Sequence, residues 1–296
     1  MMMLFGIPLP ALFGQLVIGL INGSFYAVLS LGFAVIFGLL NIVNFAHGAF
    51  YMVGAFSAWM LLNYLGLGYW PALVLAPVIV GCLGMVLERL VISRLYKLDG
   101  LYVLLLTFGC TLVIQGGFRI VYGNSGMPYP VPDLLKGGFL ITDSLYLPAY
   151  RGWVVLVSIV ICLATWLVIE KTKIGSYLRA ATENAAMTEA FGINVPRLLT
   201  ITFGIGVGLA ALAGVLAAPI YSVNPTMGGE LIIVVFAVVV IGGMGSILGS
   251  ILTGFALGVL EGLTKVVYPE ASGVVIFVIM VVVLCVKPAG LFGKSS

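Results

Sequence analysis

LFGQLVIGLINGSFYAVLSLGFAVIFGLL, residues 12–40, contains no charged side chain and is long enough to cross a lipid bilayer with residues to spare. A hydrocarbon core of about 30 Å needs roughly 20 apolar helical residues. Outward from this stretch the pattern persists. No Asp, Glu, Lys or Arg precedes Glu88, and further uncharged runs cover residues 198–229, 231–260 and 271–286. Across 296 residues there are 13 Lys plus Arg and 10 Asp plus Glu, 8% charge against 62% hydrophobic residues. A soluble domain carries about a quarter charged residues, so a water-soluble globule is excluded. The net charge of +3 is too small to argue for nucleic acid and fits loops beside a membrane.

Apolar runs read against turn residues give about nine spans: 12–40, 43–65, 70–92, 101–122, 153–169, 198–221, 231–247, 248–266 and 273–286. Only helices and closed barrels satisfy backbone groups in lipid, and continuous apolar runs of this length are helical. The expected fold is an all-α, polytopic, single transmembrane domain over residues 1–296 with 8–10 crossings. No Lys or Arg precedes the first apolar run, so the first span is expected to be retained rather than cleaved as a signal. Arg89, Arg94 and Lys97, then Lys171, Lys173, Arg179 and Arg197, then Lys287 and Lys294 mark three cytoplasmic places. Residues 123–150, 222–230 and 269–272, with Asp133, Asp143, Glu230 and Glu270, face outward. Cys82, Cys110, Cys162 and Cys285 lie inside apolar runs without C-x-x-C spacing and read as small buried thiols rather than a disulfide frame or metal site.

Two helices carry small residues four apart, Gly206, Ala210, Gly214 and Ala218 on one and Ser250, Gly254, Gly258 and Gly262 on the other. Lipid gives no hydrophobic reward for pairing helices, so close backbone approach is how they associate. Glu261 and Lys265 stand in the favourable order for an ion pair on one helix. The apolar pattern breaks most sharply in GLLNIVNFAHGAFYMVGAF, residues 38–56, where Asn41, Asn44, His47 and Gly48 interrupt it. Amides at membrane depth are costly unless they face a bundle interior or a cavity. The segment reads either as a plain loop or as a discontinuous helix lining a path. In the second half VVVIGGMGSILGSILTGF, residues 238–255, places Gly242, Gly243, Gly245 and Ser246 between two apolar half-spans. Interrupted segments in corresponding halves point to a transporter's central site and to inverted repeats. Gly-rich breaks also occur in any tightly packed membrane protein, and both readings stand.

His47 is the only histidine, so a His-based metal site lacks partners, and the neighbouring uncharged segments do not supply the nucleophile and acid of a Ser-His-Asp triad. His47 reads either as a structural hydrogen-bonded histidine or as a substrate contact. The tail GLFGKSS imitates the end of a phosphate loop, but Pro288 stands where the motif needs Gly. The largest polar segment is EKTKIGSYLRAATENAAMTEAFGINVPR, residues 170–197. Ser176 can cap a helix beginning at Tyr177, Gly192 and Pro196 can stop it, and Ala180, Ala181, Ala185, Ala186 and Ala190 keep one surface shallow. A solvated connector is one reading. The other is a short helix, flanked by Arg179, Glu183 and Glu189, that docks in a groove of a partner. Residues 123–150, rich in proline and tyrosine, form either a receiving loop for a soluble partner or an inert lid.

NFAHGAFYMVGAF, RAATENAAMTEAFGI and GGMGSILGSILTG together resemble the membrane permeases of ATP-binding-cassette importers for branched-chain amino acids, the H-type (LivH-like) subunit, over nearly the whole chain. That resemblance implies a multi-pass subunit of the bacterial inner membrane that pairs with a homologous second permease. It further implies two cytoplasmic ATPases, which use ATP and Mg, and an extracytoplasmic protein that delivers leucine, isoleucine or valine. This chain itself would bind no cofactor and catalyse no reaction. The two breaks themselves, read as lining a path, give the candidate substrate pathway past Asn41, Asn44, His47, Gly48, Gly242, Gly243, Gly245 and Ser246. The coupling region, about residues 171–197, would use Arg179, Glu183, Ala185, Ala186, Glu189 and Gly192, with a longer gap to Gly192 than the general importer pattern E-A-A-x-x-x-G. The rivals are a related permease for urea or amides and an ion-coupled carrier, whose sodium can be held by backbone carbonyls at broken helices.

Overall fold

The structure is a computed structural model that describes residues 3–4, 7–40, 42–96, 98–142 and 145–293. Asn41, Lys97, Asp143 and Lys294 lie outside the described residues. The chain forms a β1–β2 ribbon (Met3–Leu4, Ile7–Pro8), then α1 (Leu9–Leu40), α2 (Ala46–Leu65), α3 (Tyr69–Leu90), a 3₁₀ turn (Ile92–Leu95) and α4 (Gly100–Tyr122). A hairpin of β3 (Gly138–Thr142) and β4 (Leu145–Pro148) leads to α5 (Ala149–Lys171). There follow α6 (Lys173–Glu183), α7 (Ala185–Ala190), α8 (Val195–Ala217), α9 (Met227–Gly242), α10 (Ile247–Val267) and α11 (Val275–Val286). This is an all-α multi-pass membrane architecture.

Among the described residues seven helices are long and apolar enough to span a bilayer: α1 to α5, α8 and α10. The sequence predicts about nine. The other two predicted segments fold as α9 and α11, of 16 and 12 residues. At a rise of about 1.5 Å per residue these reach roughly 24 and 18 Å, short of the hydrocarbon core. The early stop of α9 falls at Gly242, where the backbone turns, while α11 stops at Lys287 and Pro288.

The helices divide into two compact units, one of Met1–Ser30, Val131–Leu163 and Val234–Ser296, the other of Leu31–Pro130 and Ala164–Ile233. In the first, α1 packs on α10 through glycines: a Cβ on Gly258 would strike the Gly23 backbone, one on Gly262 would strike Gln15, and one on Gly254 would strike Ala27. The expected ion pair forms there, Lys265 Nζ to Glu261 Oε1 at 2.6 Å, and the Tyr26 hydroxyl donates to the other Glu261 oxygen at 2.7 Å. In the second unit α8 is the hub. Gly206 meets Gly32 on α1, Ala211 and Gly214 meet Gly54 and Tyr51 on α2, and Gly204 meets Gly81 on α3. Both small-residue stripes are packing faces, as the spacing predicts. The outer surfaces of α3, α4 and α5 expose Val74, Val78, Leu105, Val113, Val160 and Leu163, an apolar exterior suited to lipid rather than water. Of the four cysteines expected to be buried only Cys162 is, while Cys82 and Cys285 are exposed because they fall on outward faces of α3 and α11.

Candidate transport pathway and coupling surface

The break between α1 and α2 is built by Asn44. Its Oδ1 accepts the Ala46 N–H at 3.0 Å and its carbonyl accepts the His47 N–H at 3.2 Å, so one residue satisfies the first donors of α2. Thr107 of α4 accepts the Phe45 N–H at 3.1 Å and ties the break to the neighbouring helix. Asn44 is fully buried, and its Nδ2 has no partner among the described residues. A buried amide donor left unpaired costs about 1–3 kcal/mol, and such a donor is a natural contact for a passing carboxylate or carbonyl oxygen. His47 is also fully buried, its ring meeting Phe33 edge-on at 5.7 Å. Gly48 follows immediately, and a Cβ there would strike the Gly228 carbonyl. The structure therefore brings Asn44, His47 and Gly48 to one place inside the second unit. Gly48 serves the approach of α2 to the first turn of α9.

The second break belongs to the first unit. Gly243 and Gly245 have φ of 102° and 86°, which side-chain-bearing residues rarely adopt. They turn the chain from α9 into α10. Ser246 caps α10, its Oγ accepting the Gly249 N–H at 3.1 Å. The Ile241 and Gly242 carbonyls, freed at the end of α9, accept the Leu291 and Phe292 N–H groups at 2.8 and 3.1 Å. Gly242, Gly243, Gly245 and Ser246 thus form one tight helix-to-helix turn pinned by the C-terminal segment.

The predicted single connector helix from Tyr177 is two helices. Thr172 stands at the start of α6, four residues before the predicted cap Ser176, which lies inside it. Asn184 ends α6 and caps α7, its side chain accepting the Met187 N–H at 2.9 Å. The Gly192 N–H donates to Glu189 at 2.9 Å just past α7, and Pro196 opens α8 instead of closing the connector. Asn194 caps α8 through the Arg197 N–H at 3.0 Å. Leu178 and Ala181 are buried, and Ala181 and Ala185 line a small cavity of about 190 Å³ with Ile42, Leu95, Tyr96 and Leu199. Of the two alanines Ala181 turns into the bundle, while Ala185 is exposed at the rim of that cavity. Arg179, Glu183, Ala186 and Glu189 stay on the exposed side, and Arg179 reaches Glu170 at 3.4 Å. The residues sequence reading missed are Met187 and Phe191, 61% and 80% exposed on the same connector. Large apolar side chains offered in a charged segment were the available signal.

A second arrangement missed from sequence lies at the end of α3. Glu88 is 1% exposed, and its two carboxyl oxygens accept the Tyr96 and Thr200 hydroxyls, each at 2.6 Å. Burial, then the Glu88 carboxyl that accepts from it, push the Tyr96 phenol well above its ordinary value, so it stays a donor. This network joins α3, the 3₁₀ turn and α8. Glu88→Ala should strand the Tyr96 hydroxyl, Thr200 keeping the Pro196 carbonyl at 3.1 Å as an acceptor, and cost about 1–3 kcal/mol, and Glu88→Gln, which keeps an acceptor, should cost less. Thermal unfolding of the purified variants in detergent tests this. Equal midpoints for wild type and Glu88→Ala would dismiss the network as a structural element.

The sequence matches the family described as branched-chain amino acid transport system / permease component over residues 15–284. It is 31% identical to the high-affinity branched-chain amino acid transport system permease protein BraD of Pseudomonas aeruginosa, covering 95% of this chain and 96% of the relative. It is 30% identical, with the same coverage, to the permease protein LivH of Escherichia coli K12. Identity to LivM of E. coli K12, also a permease protein of such a system, is 27% over 90% of this chain and 67% of the relative. No solved structure matches the chain. A match that runs through both breaks and the connector between them leaves one assignment: the chain belongs to the family of permease components of branched-chain amino acid transport systems.

Proposed function

We propose that this chain forms one half of the membrane pathway of an ATP-driven importer for leucine, isoleucine and valine in a bacterial inner membrane. A homologous permease supplies the other half, two cytoplasmic ATPases supply the work, and an extracytoplasmic binding protein delivers the solute. The observation that carries this reading is the 31% identity over 95% of the chain to a permease named for that transport. The 27% identity to LivM supports a pairing of two related permeases.

In this reading the ATPases grip the α6–α7 connector through Met187 and Phe191. Nucleotide-driven closure moves the connector, and the small cavity shared by Ala181, Ala185, Tyr96 and Leu199 passes that movement to α8. Because α8 touches α2 and α3 backbone to backbone, the three shift together and change access past Asn44 and His47. The unpaired Asn44 amide supplies a polar contact on an otherwise apolar route. Proteoliposomes holding the purified assembly should accumulate labelled leucine only with the binding protein and internal ATP. Uptake that continues without ATP and collapses with a sodium or proton gradient would make the chain an ion-coupled carrier. Uptake of urea in place of leucine would reassign the cargo alone.

A further inference from the structure

We propose that the cavity between the end of α3, the 3₁₀ turn and the start of α8, about 780 Å³ in volume, holds the headgroup of a net-anionic phospholipid. Arg89 and Arg197 grip the phosphate, and the acyl chains run along the outer faces of α3 and α8. Ser93, Asn194 and Thr200 also line the cavity. Neither guanidinium has a hydrogen bond or ion pair among the described residues. Glu88 shares the wall, but it is buried and both of its oxygens are taken by hydroxyls, so it does not reach out to either arginine. Two free guanidinium forks at the mouth of a recess match the oxygens of a phosphodiester.

The surroundings select a lipid over a soluble phosphate. Leu90 and Ile201, 55% and 52% exposed, stand beside the arginines, and Val86 and Ile205 continue the same apolar faces one turn further along each span. Arg89 stands in the last turn of α3, which ends at Leu90, and Arg197 in the first turn of α8, which begins at Val195, so both lie at the ends of their spans, at the level of headgroups. A basic recess between helices at that depth is where anionic headgroups are held.

Native mass spectrometry of the purified full chain, offered equal phosphatidylglycerol, phosphatidylethanolamine and phosphatidylcholine, tests the site. The wild type should retain phosphatidylglycerol with roughly tenfold preference. Arg89→Gln with Arg197→Gln should bring that preference near parity, and Arg151→Gln on α5 should leave it unchanged. A phosphatidylglycerol carrying a photoreactive group beside its phosphate should label residues 85–96 and 194–201 of the wild type, an arm that needs no variant to fold. Parity among the three lipids, an unchanged preference in the double variant, or labelling elsewhere would overturn the proposal. So would displacement of the lipid by glycerol phosphate at equal concentration, which would make the ligand a soluble phosphate, or exclusion of the lipid by a partner protein in the assembled importer.

Discussion

Replacing Met187 and Phe191 together with glutamate abolishes ATP-dependent uptake while the chain still inserts, purifies as a single species and unfolds at the wild-type temperature. Both side chains are exposed, at 61% and 80%, so the folded chain loses almost no buried area when they become charged. Their value lies in what covers them. An exposed apolar anchor that becomes buried in an interface is typically worth about 2 kcal/mol on truncation, and two such anchors together correspond to about a thousandfold in affinity. Glutamate is worse than truncation, because the carboxyl must be stripped of water to enter the same groove, and Glu183 and Glu189 already stand on the connector. The measurement is paired: capture of the ATPases by the tagged permease, and leucine uptake into vesicles. Loss of both is expected. Full uptake with both glutamates in place would refute the assignment of α6–α7 as the coupling surface, and capture without uptake would place the defect in the pathway instead.

The contrast between Met187 and Ala181 shows what the sequence can and cannot say about this connector. Residue types alone mark residues 170–197 as polar, helical and rich in small side chains. They do not say which side of the helix faces the bundle, because Ser176 and Asn184 are both competent caps. The choice is made by tertiary contacts, since Leu178 and Ala181 must be buried together, and this phases α6, while Ala185 opens the separate helix α7 and stays exposed at the rim of the small cavity. Glu88 is a harder case. The sequence shows it as the first charge after a long apolar run, yet its partners are 8 and 112 residues away, and the more distant one leaves no local trace. By contrast the packing faces of α8 and α10 are legible in advance, because a four-residue spacing of small side chains has a direct meaning in lipid. The helical class is legible for a similar reason, since 87 residues without charge leave few other structures in a bilayer. The shortness of α9 and α11 is not. Hydropathy averages over the turn at Gly243 and Gly245 and does not register that φ turns positive there.

Gly54 inside α2 and Gly66 just past its end, which look alike in sequence, should respond oppositely to substitution. Gly54 lies mid-helix with φ in the ordinary range, but a Cβ on it would overlap the Ala211 carbonyl and Cα on α8, and Gly214 meets the Tyr51 carbonyl in the same manner. These neighbours are backbone and cannot rotate away, so even Gly54→Ala must push two helices apart along the whole crossing. Overpacking a well-filled core costs about 1–3 kcal/mol where side chains can adjust, and the cost here should exceed that range. Gly66 stands at the C-terminal cap of α2 with φ of 65° and nothing within 4 Å of where a Cβ would sit. Its N–H and that of Leu67 close the helix on Leu62 and Leu61 at 3.1 and 2.9 Å, so a side chain there pays only for the left-handed backbone, about 1 kcal/mol. Asparagine separates the two causes, because it tolerates the left-handed region but is larger than alanine. Gly66→Asn should therefore be milder than Gly66→Ala, whereas Gly54→Asn should be worse than Gly54→Ala and leave little folded protein in the membrane. Yield of monodisperse protein and unfolding temperature across the four variants read this directly. If Gly54→Ala and Gly66→Ala were equally mild, the backbone contact between α2 and α8 would not be the element that holds the second unit together, and the transmission of connector movement to Asn44 through that contact would fall with it.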